Sequence, residues 1–296
     1  MRKSALHPLL LEWYARHRRN LPWRRTHNPY RILISEVMLQ QTQVSRVLVF
    51  YKNWLRLFPT FSALADAPKR SVLLAWSGLG YNSRALRIQS LARTVVESYH
   101  SKLPDDIKIL QQLPGIGRYT AHALVCFAFG QAVPVVDVNV KRILTRLYSK
   151  VTSSDTMLDE KEAWTYAAAI LPAQDAYDWN QALMDLGAEI CTAVSPDCEI
   201  CPLASCCQSA GLPALRRRSV RAKKQEPGFR GIPRRIIRGQ ILKMLHGKTQ
   251  TSKRLRTSLS VRLSEKELHG ILDTMKNDGL IRLRKSRTSI RISIAE

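Results

Sequence analysis

The chain has 296 residues, with 47 Lys+Arg against 23 Asp+Glu and a formal net charge of +24. That length can bury a sizeable core and implies about two domains, and no stretch is long or apolar enough to span a bilayer. The charge points to a polyanion, nucleic acid before an anionic membrane surface, and it is uneven: residues 208–296 hold 23 Lys+Arg against 6 Asp+Glu, residues 1–207 hold 24 against 17.

In chain order, Met1-Arg2-Lys3 leads into charged, helix-like sequence without an uninterrupted apolar core. A secretory leader is therefore not expected, and the compartment is read as cytoplasmic (nucleoid-associated in a bacterium) and thiol-reducing. Apolar residues then recur at spacings of three and four in Leu9–Tyr14, Ile32–Met38, Val44–Phe58, Ser71–Trp76, Ala85–Val96, Ala121–Phe129, Val138–Leu147 and Ala163–Leu171. Breaks fall at Pro22, Asn28-Pro29, Pro59, Pro104, Pro114-Gly115 and Pro134. Period-two alternation is nearly absent, so the region reads as all-α.

Within it, Glu36 sits among Ile34, Val37 and Met38; taken alone, such a Glu is a buried ion-pair partner. Leu113-Pro114-Gly115-Ile116-Gly117 lies between two helical stretches, and the helix beginning near Arg118 offers its positive end to a phosphate. The arrangement resembles a helix-hairpin-helix element, although a plain helix-to-helix turn has the same pattern. Asp137 precedes a helix bearing Lys141 and Arg142 and by itself is an ordinary N-cap.

Cys191, Cys198, Cys201 and Cys207 follow the spacing C-x6-C-x2-C-x5-C. Four thiols in one short window suit a four-iron, four-sulfur cluster. Zinc is the rival, weakened by the single C-x2-C pair, and disulfides conflict with the expected compartment. Spacing does not choose between Cys206 and Cys207, and Cys126, in an apolar run, reads as a buried structural thiol.

Residues 208–232 are rich in Arg, Lys, Gly and Pro and read as a basic linker. Beyond it, helical stretches at Arg235–Leu245, Ser252–Leu259 and Ser264–Asp278 precede two strands at Leu280–Leu283 and Ser289–Ile294, with Gly279 as a helix cap. Three helices and a two-stranded wing outline a winged-helix-like α+β domain over 233–296.

The segments LPWRRTHNPYRILISEVMLQQTQV (21–44), WSGLGYNSRA (76–85), LPGIGRYTAHA (113–123), VVDVNVKR (135–142) and NQALMDLGAEIC (180–191), with the cysteine loop after them, run in order through residues 1–207. In these the chain resembles the adenine DNA glycosylases of the helix-hairpin-helix, iron–sulfur superfamily. The resemblance implies a two-lobed all-α glycosylase domain over 1–207 whose cluster loop spans 191–207, and it selects Cys207 over Cys206 as the fourth ligand of one [4Fe-4S] cluster. The substrate it implies is duplex DNA with adenine opposite 8-oxoguanine or guanine, handled by a monomer.

Excision of adenine needs an acid for the leaving base and a carboxylate for the cationic sugar. The resemblance makes Glu36 the acid, its pKa expected to be raised by desolvation, and Asp137 the stabilising carboxylate, supported by Asn139. It puts Gln41 and Tyr81 into the base stack and gives Leu113, Gly115, Gly117, Arg118 and Lys141 to the DNA backbone. Tyr119 stands where the endonuclease III branch has a Schiff-base lysine, so a monofunctional enzyme with little strand cleavage is expected. The chain departs from the family at Val138, where Gly is usual, at Asn82, where a second Tyr is usual, and in residues 233–296, whose pattern is not that of the usual Nudix-hydrolase-like domain. Two rivals remain: a thymine or other mismatch glycosylase of the same superfamily, and a non-catalytic iron–sulfur DNA-binding regulator.

Overall fold

The computed structural model describes residues 3–151, 156–216, 228–285 and 289–295. In chain order the helices are α1 (Lys3–His17), α2 (Pro29–Leu39), α3 (Val44–Leu57), α4 (Phe61–Asp66), α5 (Lys69–Trp76), α6 (Ser83–Tyr99), α7 (Ile107–Gln112), α8 (Arg118–Phe127), α9 (Val138–Tyr148), α10 (Glu160–Ala169), α11 (Ala176–Glu189), α12 (Pro213–Arg216), α13 (Arg234–Met244), α14 (Ser252–Ser258) and α15 (Glu265–Asn277). Strands are β1 (Gly228–Phe229), β2 (Ile232–Pro233), β3 (Gln250–Thr251), β4 (Ile281–Lys285) and β5 (Ile290–Ile294). The helix-rich expectation holds, and several helix starts follow from side-chain caps. Asp159 and Ser264 form full capping boxes at α10 and α15, and Asp137 caps α9.

By its contacts the chain divides into two compact units that cut across chain order. The first unit takes Met1–Ile32, Asp105–Gln111 and Ile116–Arg221. Its core joins Leu6 and Leu10 of α1, Val140, Ile143 and Leu147 of α9, Trp164 of α10, and Trp179, Leu183 and Leu186 of α11. Asp185 of α11 is completely buried and accepts from both Arg24 Nη atoms, each at 2.7 Å, and from Arg19 Nε at 2.7 Å. The N-terminal segment is thus tied to the helix that packs on α9.

The second unit takes Leu33–Pro104, Gln112–Gly115 and Ala222–Glu296. Trp54 of α3 meets Trp76 of α5 edge to face, centroids 5.3 Å apart. A further cluster joins Leu73 of α5, with Leu74 and Leu86 against it, to Ile237 and Ile241 of α13, Leu255 of α14, and Leu268, Ile271 and Met275 of α15.

The C-terminal sheet has one strand more than the sequence pattern indicates: its order is β3-β5-β4, all antiparallel, with Gln250 opposite Ile292 and Leu283 opposite Ile292 on the other side. Two-residue β3 is too short for any alternation to register. The stretch expected to be linker likewise holds the β1–β2 pair, Phe229 opposite Ile232, while its residues 217–227 lie outside the described residues. Gly279 ends α15 as expected, at φ 69°.

Candidate active site and nucleic-acid interface

Asp137, Asn139 and Lys141 share α9 in the first unit. The Asp137 carboxylate has both oxygens engaged: Oδ1 accepts from Val140 N at 2.7 Å and Oδ2 from Asn139 Nδ2 at 2.8 Å. Asn139 in turn accepts from Arg142 Nη2 at 3.0 Å, and Arg142 donates onward to the carbonyls of Gly187 at 2.7 Å and Cys191 at 2.9 Å. A continuous polar chain therefore runs from the carboxylate to the first residue of the cysteine loop. Val138, the departure beside Asp137, lies in the first turn of α9 outside the positive-φ residues and is 68% exposed. The helical backbone there needs no glycine, and the extra bulk points into open space.

Gly187, for which the sequence offers no role, sets the spacing of α9 and α11. A Cβ on it would stand 2.8 Å from the Asn139 Cβ and 3.3 Å from the Ile143 Cδ1. Its only sequence signal is a glycine inside a strongly helical stretch, which implies close approach of another element.

Tyr119 is half-buried on α8. Arg118 places its guanidinium 4.0 Å from the centre of the Trp164 ring, a cation–π contact, and Lys141 Nζ lies 3.8 Å from Glu160 Oε2. Gly117 is the α8 N-cap at an ordinary φ of −94°, with no atom of the described residues near where its Cβ would stand.

The cysteine loop packs against the same unit. Arg146 Nη1 donates to Cys191 Sγ at 3.2 Å, and Cys207 Sγ donates to the Arg146 carbonyl at 3.2 Å. Burial pushes the Cys201 thiol up to about 12, against a backbone hydrogen bond from Leu203 and with repulsion from Cys191, Cys207 and Cys198 added. Cys201 therefore lies within electrostatic reach of the other three thiols; Cys206 instead has its sulfur 3.8 Å from the Ser205 hydroxyl. Among the described residues no three His, Cys, Asp or Glu side chains are drawn tightly enough to hold a metal ion. The donor set, four thiols with a guanidinium aimed at one of them, fits a thiolate-ligated cluster in chemistry. Cys126, buried as expected, accepts from Asn180 Nδ2 at 3.4 Å, and burial pushes its thiol up to about 11.

In the second unit, Glu36 is 6% exposed on α2, between the buried side chains of Ile34 and Val37. Gln41 and Tyr81 both adopt the left-handed backbone, φ 56° and 48°. For side chains of that size the conformation is strained and is kept only where neighbours impose it. The neighbour is Arg84, 6% exposed. Its Nη1 donates to the carbonyls of Val37 and Gln40, both at 2.7 Å, and its Nη2 to Gly80 O at 3.1 Å. One guanidinium thus closes the C-terminal end of α2, whose carbonyls would otherwise lack partners, and holds the Gln41 and Tyr81 loops side by side. Burial lowers Arg84 to about 10, which leaves it charged at neutral pH. Tyr81 is 43% exposed.

The Leu113 side chain is buried in this unit, so only its main chain is offered at the turn. Gly115 does need to be glycine, since φ is 84° and a Cβ would come within 3.2 Å of the Arg87 Cβ.

Residues 34–168 match the model of the HhH-GPD superfamily base excision DNA repair proteins. The chain is 40% identical over 276 residues to the adenine DNA glycosylase of Mycolicibacterium smegmatis, covering 92% of this chain and 91% of that protein. It is 42% identical over 215 residues to the adenine DNA glycosylase of Homo sapiens, covering 70% of this chain and 39% of that protein. Among solved structures it is similar to a thermostable thymine-DNA glycosylase (TM-score 0.64, 32% identity, 69% of this chain and 94% of that one). It is also similar to endonuclease III in a non-covalent DNA complex (TM-score 0.60, 26% identity, 71% of this chain and 97% of that one).

Proposed function

Because the chain belongs to the adenine DNA glycosylase family of the HhH-GPD base excision repair superfamily, we infer that it hydrolyses the N-glycosidic bond of adenine in duplex DNA, with 8-oxoguanine or guanine opposite. The observation that carries this is 40% identity to an adenine DNA glycosylase across 92% of the chain. The thymine reading rests on a structural likeness at lower identity over 69% of the chain, and is the weaker one.

The chemistry follows from the residues. Gln41 and Tyr81, held out by Arg84, fill the stack as the adenine leaves it, which costs a few kcal/mol. Glu36, shielded among apolar side chains, gives a proton to a ring nitrogen of the adenine. The bond from base to sugar then breaks with its electron pair going to the base. Asp137, its two oxygens aligned by Val140 N and Asn139 Nδ2, faces the cationic sugar, and the Glu36 carboxylate takes a proton from the attacking water. Tyr119 has no amine to trap the sugar as an imine, so the product is an abasic site in an unbroken strand. Cys191, Cys198, Cys201 and Cys207 would hold a [4Fe-4S] cluster, whose thiolate-saturated irons offer order to the loop rather than an open catalytic position. Residues 233–296 would act as a winged-helix-like DNA-binding unit, a reading supported by their order of helices, strands and basic residues.

The test is single-turnover excision on duplexes with adenine opposite 8-oxoguanine or guanine and thymine opposite guanine, each with and without alkali. Adenine release with breaks only after alkali is expected, and Glu36→Gln should lower the rate by about 10³-fold while binding persists. Thymine release without adenine release would transfer the protein to the neighbouring branch.

A further inference from the structure

Beside the Gln41 and Tyr81 loops, the second unit holds a cleft of about 920 Å³ whose far wall is α13. Its lining contains Arg46, Arg235 and Lys243 and no Asp or Glu among the described residues. Two further features have no explanation among the described residues. Gly239 interrupts α13 although its φ is ordinary and nothing stands within 4 Å of where its Cβ would be. A helix-interior glycine costs about 1 kcal/mol relative to alanine, so neither backbone conformation nor internal packing accounts for it. Asn82, 7% exposed, has a buried side-chain oxygen without a partner, a costly arrangement in a dry site. Both residues line the cleft.

We propose that this cleft is a binding site for the phosphodiester backbone of the duplex next to the extruded nucleotide. Arg46, Arg235 and Lys243 neutralise phosphates, Gly239 leaves room for the strand against α13, and Asn82 Oδ1 accepts from a base N–H of the adjoining nucleotide, the phosphodiester backbone itself having no donor. The charge, the missing side chain and the orphaned amide then have one cause. Tyr81 shares the cleft lining, so strand capture and stack filling occur at one place. The proposal deepens the glycosylase reading and rests on it.

The test uses the full-length protein and a duplex with adenine opposite guanine, titrated across salt concentrations. Gly239→Leu fills the reserved space with a better helix former, so its thermal midpoint should equal or exceed that of the parent while its DNA affinity falls at least about 10-fold. Arg235→Gln combined with Lys243→Gln should flatten the slope of log Kd against log salt by about 1.8, the value for two lost phosphate contacts. Parent-like affinity for Gly239→Leu, or an unchanged slope in the double variant, would overturn the proposal. If Gly239→Leu does not fold, the slope alone decides. Excision by the parent is scored separately: a parent that binds but releases no adenine fails as a glycosylase and leaves the cleft to be judged by the slopes.

Discussion

Asp185 shows how much one residue carries. Burial alone would raise its carboxyl, but hydrogen bonds and charge from Arg24 and Arg19 hold it below the ordinary range. A carboxyl depressed by folding stabilises the native state above its unfolded value, about 3.9. That contribution is lost as pH falls through the lower folded value, so it should be constant from neutrality to about pH 4 and collapse only below. Asp185→Asn leaves the buried guanidinium of Arg24 uncompensated and should cost about 3–5 kcal/mol, read as a lowered urea midpoint at pH 7. A cost under about 1 kcal/mol would mean that the pair is not the anchor of the N-terminal segment. Arg84 works differently: it stays charged, its guanidinium is satisfied by carbonyl dipoles at a helix end, and it thereby gives two strained residues a fixed position.

Among elements, the approach of α9 and α11 matters most for the proposed chemistry. Gly187 lets α11 come close enough for Arg142, which also holds Asn139 on its own helix, to reach the Gly187 carbonyl. Gly187→Ala should push Asn139 from Asp137, lowering the single-turnover rate at least about 10-fold (1.4 kcal/mol) and stability by about 1–3 kcal/mol. A destabilised variant with parental excision rate would limit Gly187 to packing. The helices themselves were legible because their apolar period is strong. Short α4 and α7 left no such trace, since six residues hold fewer than two turns of pattern.

For the whole molecule, the cysteine loop is fastened to α9, the helix that bears the proposed carboxylate. Gln208 N and Ser209 N donate to the Leu147 and Arg146 carbonyls, while Arg146 reaches Cys191 and Thr192. A metal guest on the four thiols would lock these contacts, because ligation removes the mutual repulsion of their charged forms. Purified protein should carry about four iron atoms per chain. Stripping them should lower the thermal midpoint by at least about 5 °C, equivalent to roughly 2 kcal/mol, and weaken DNA binding. Iron-free protein of unchanged midpoint would make the loop independent of its guest.

The sequence by itself determined the helical class, the basic C-terminal region and the cysteine spacing, because periodicity, charge and motif spacing are local properties of the chain; the proposed acid and carboxylate came from the family resemblance, not from such patterns. Asp137 as an N-cap was equally local: its partner lies three residues away. Only the tertiary structure decided what spans long separations. Arg84 reaches 47 residues back to Val37, Arg142 reaches 49 forward to Cys191, and α13 comes to wall a cleft with loops from residues 41–46 and 77–82. It also decided that Val138 is exposed on backbone that needs no glycine, that the Leu113 side chain is interior, and that Gly187 is a spacer. Those properties depend on which surfaces meet when apolar faces are buried together, and no window of sequence contains both sides of such a contact.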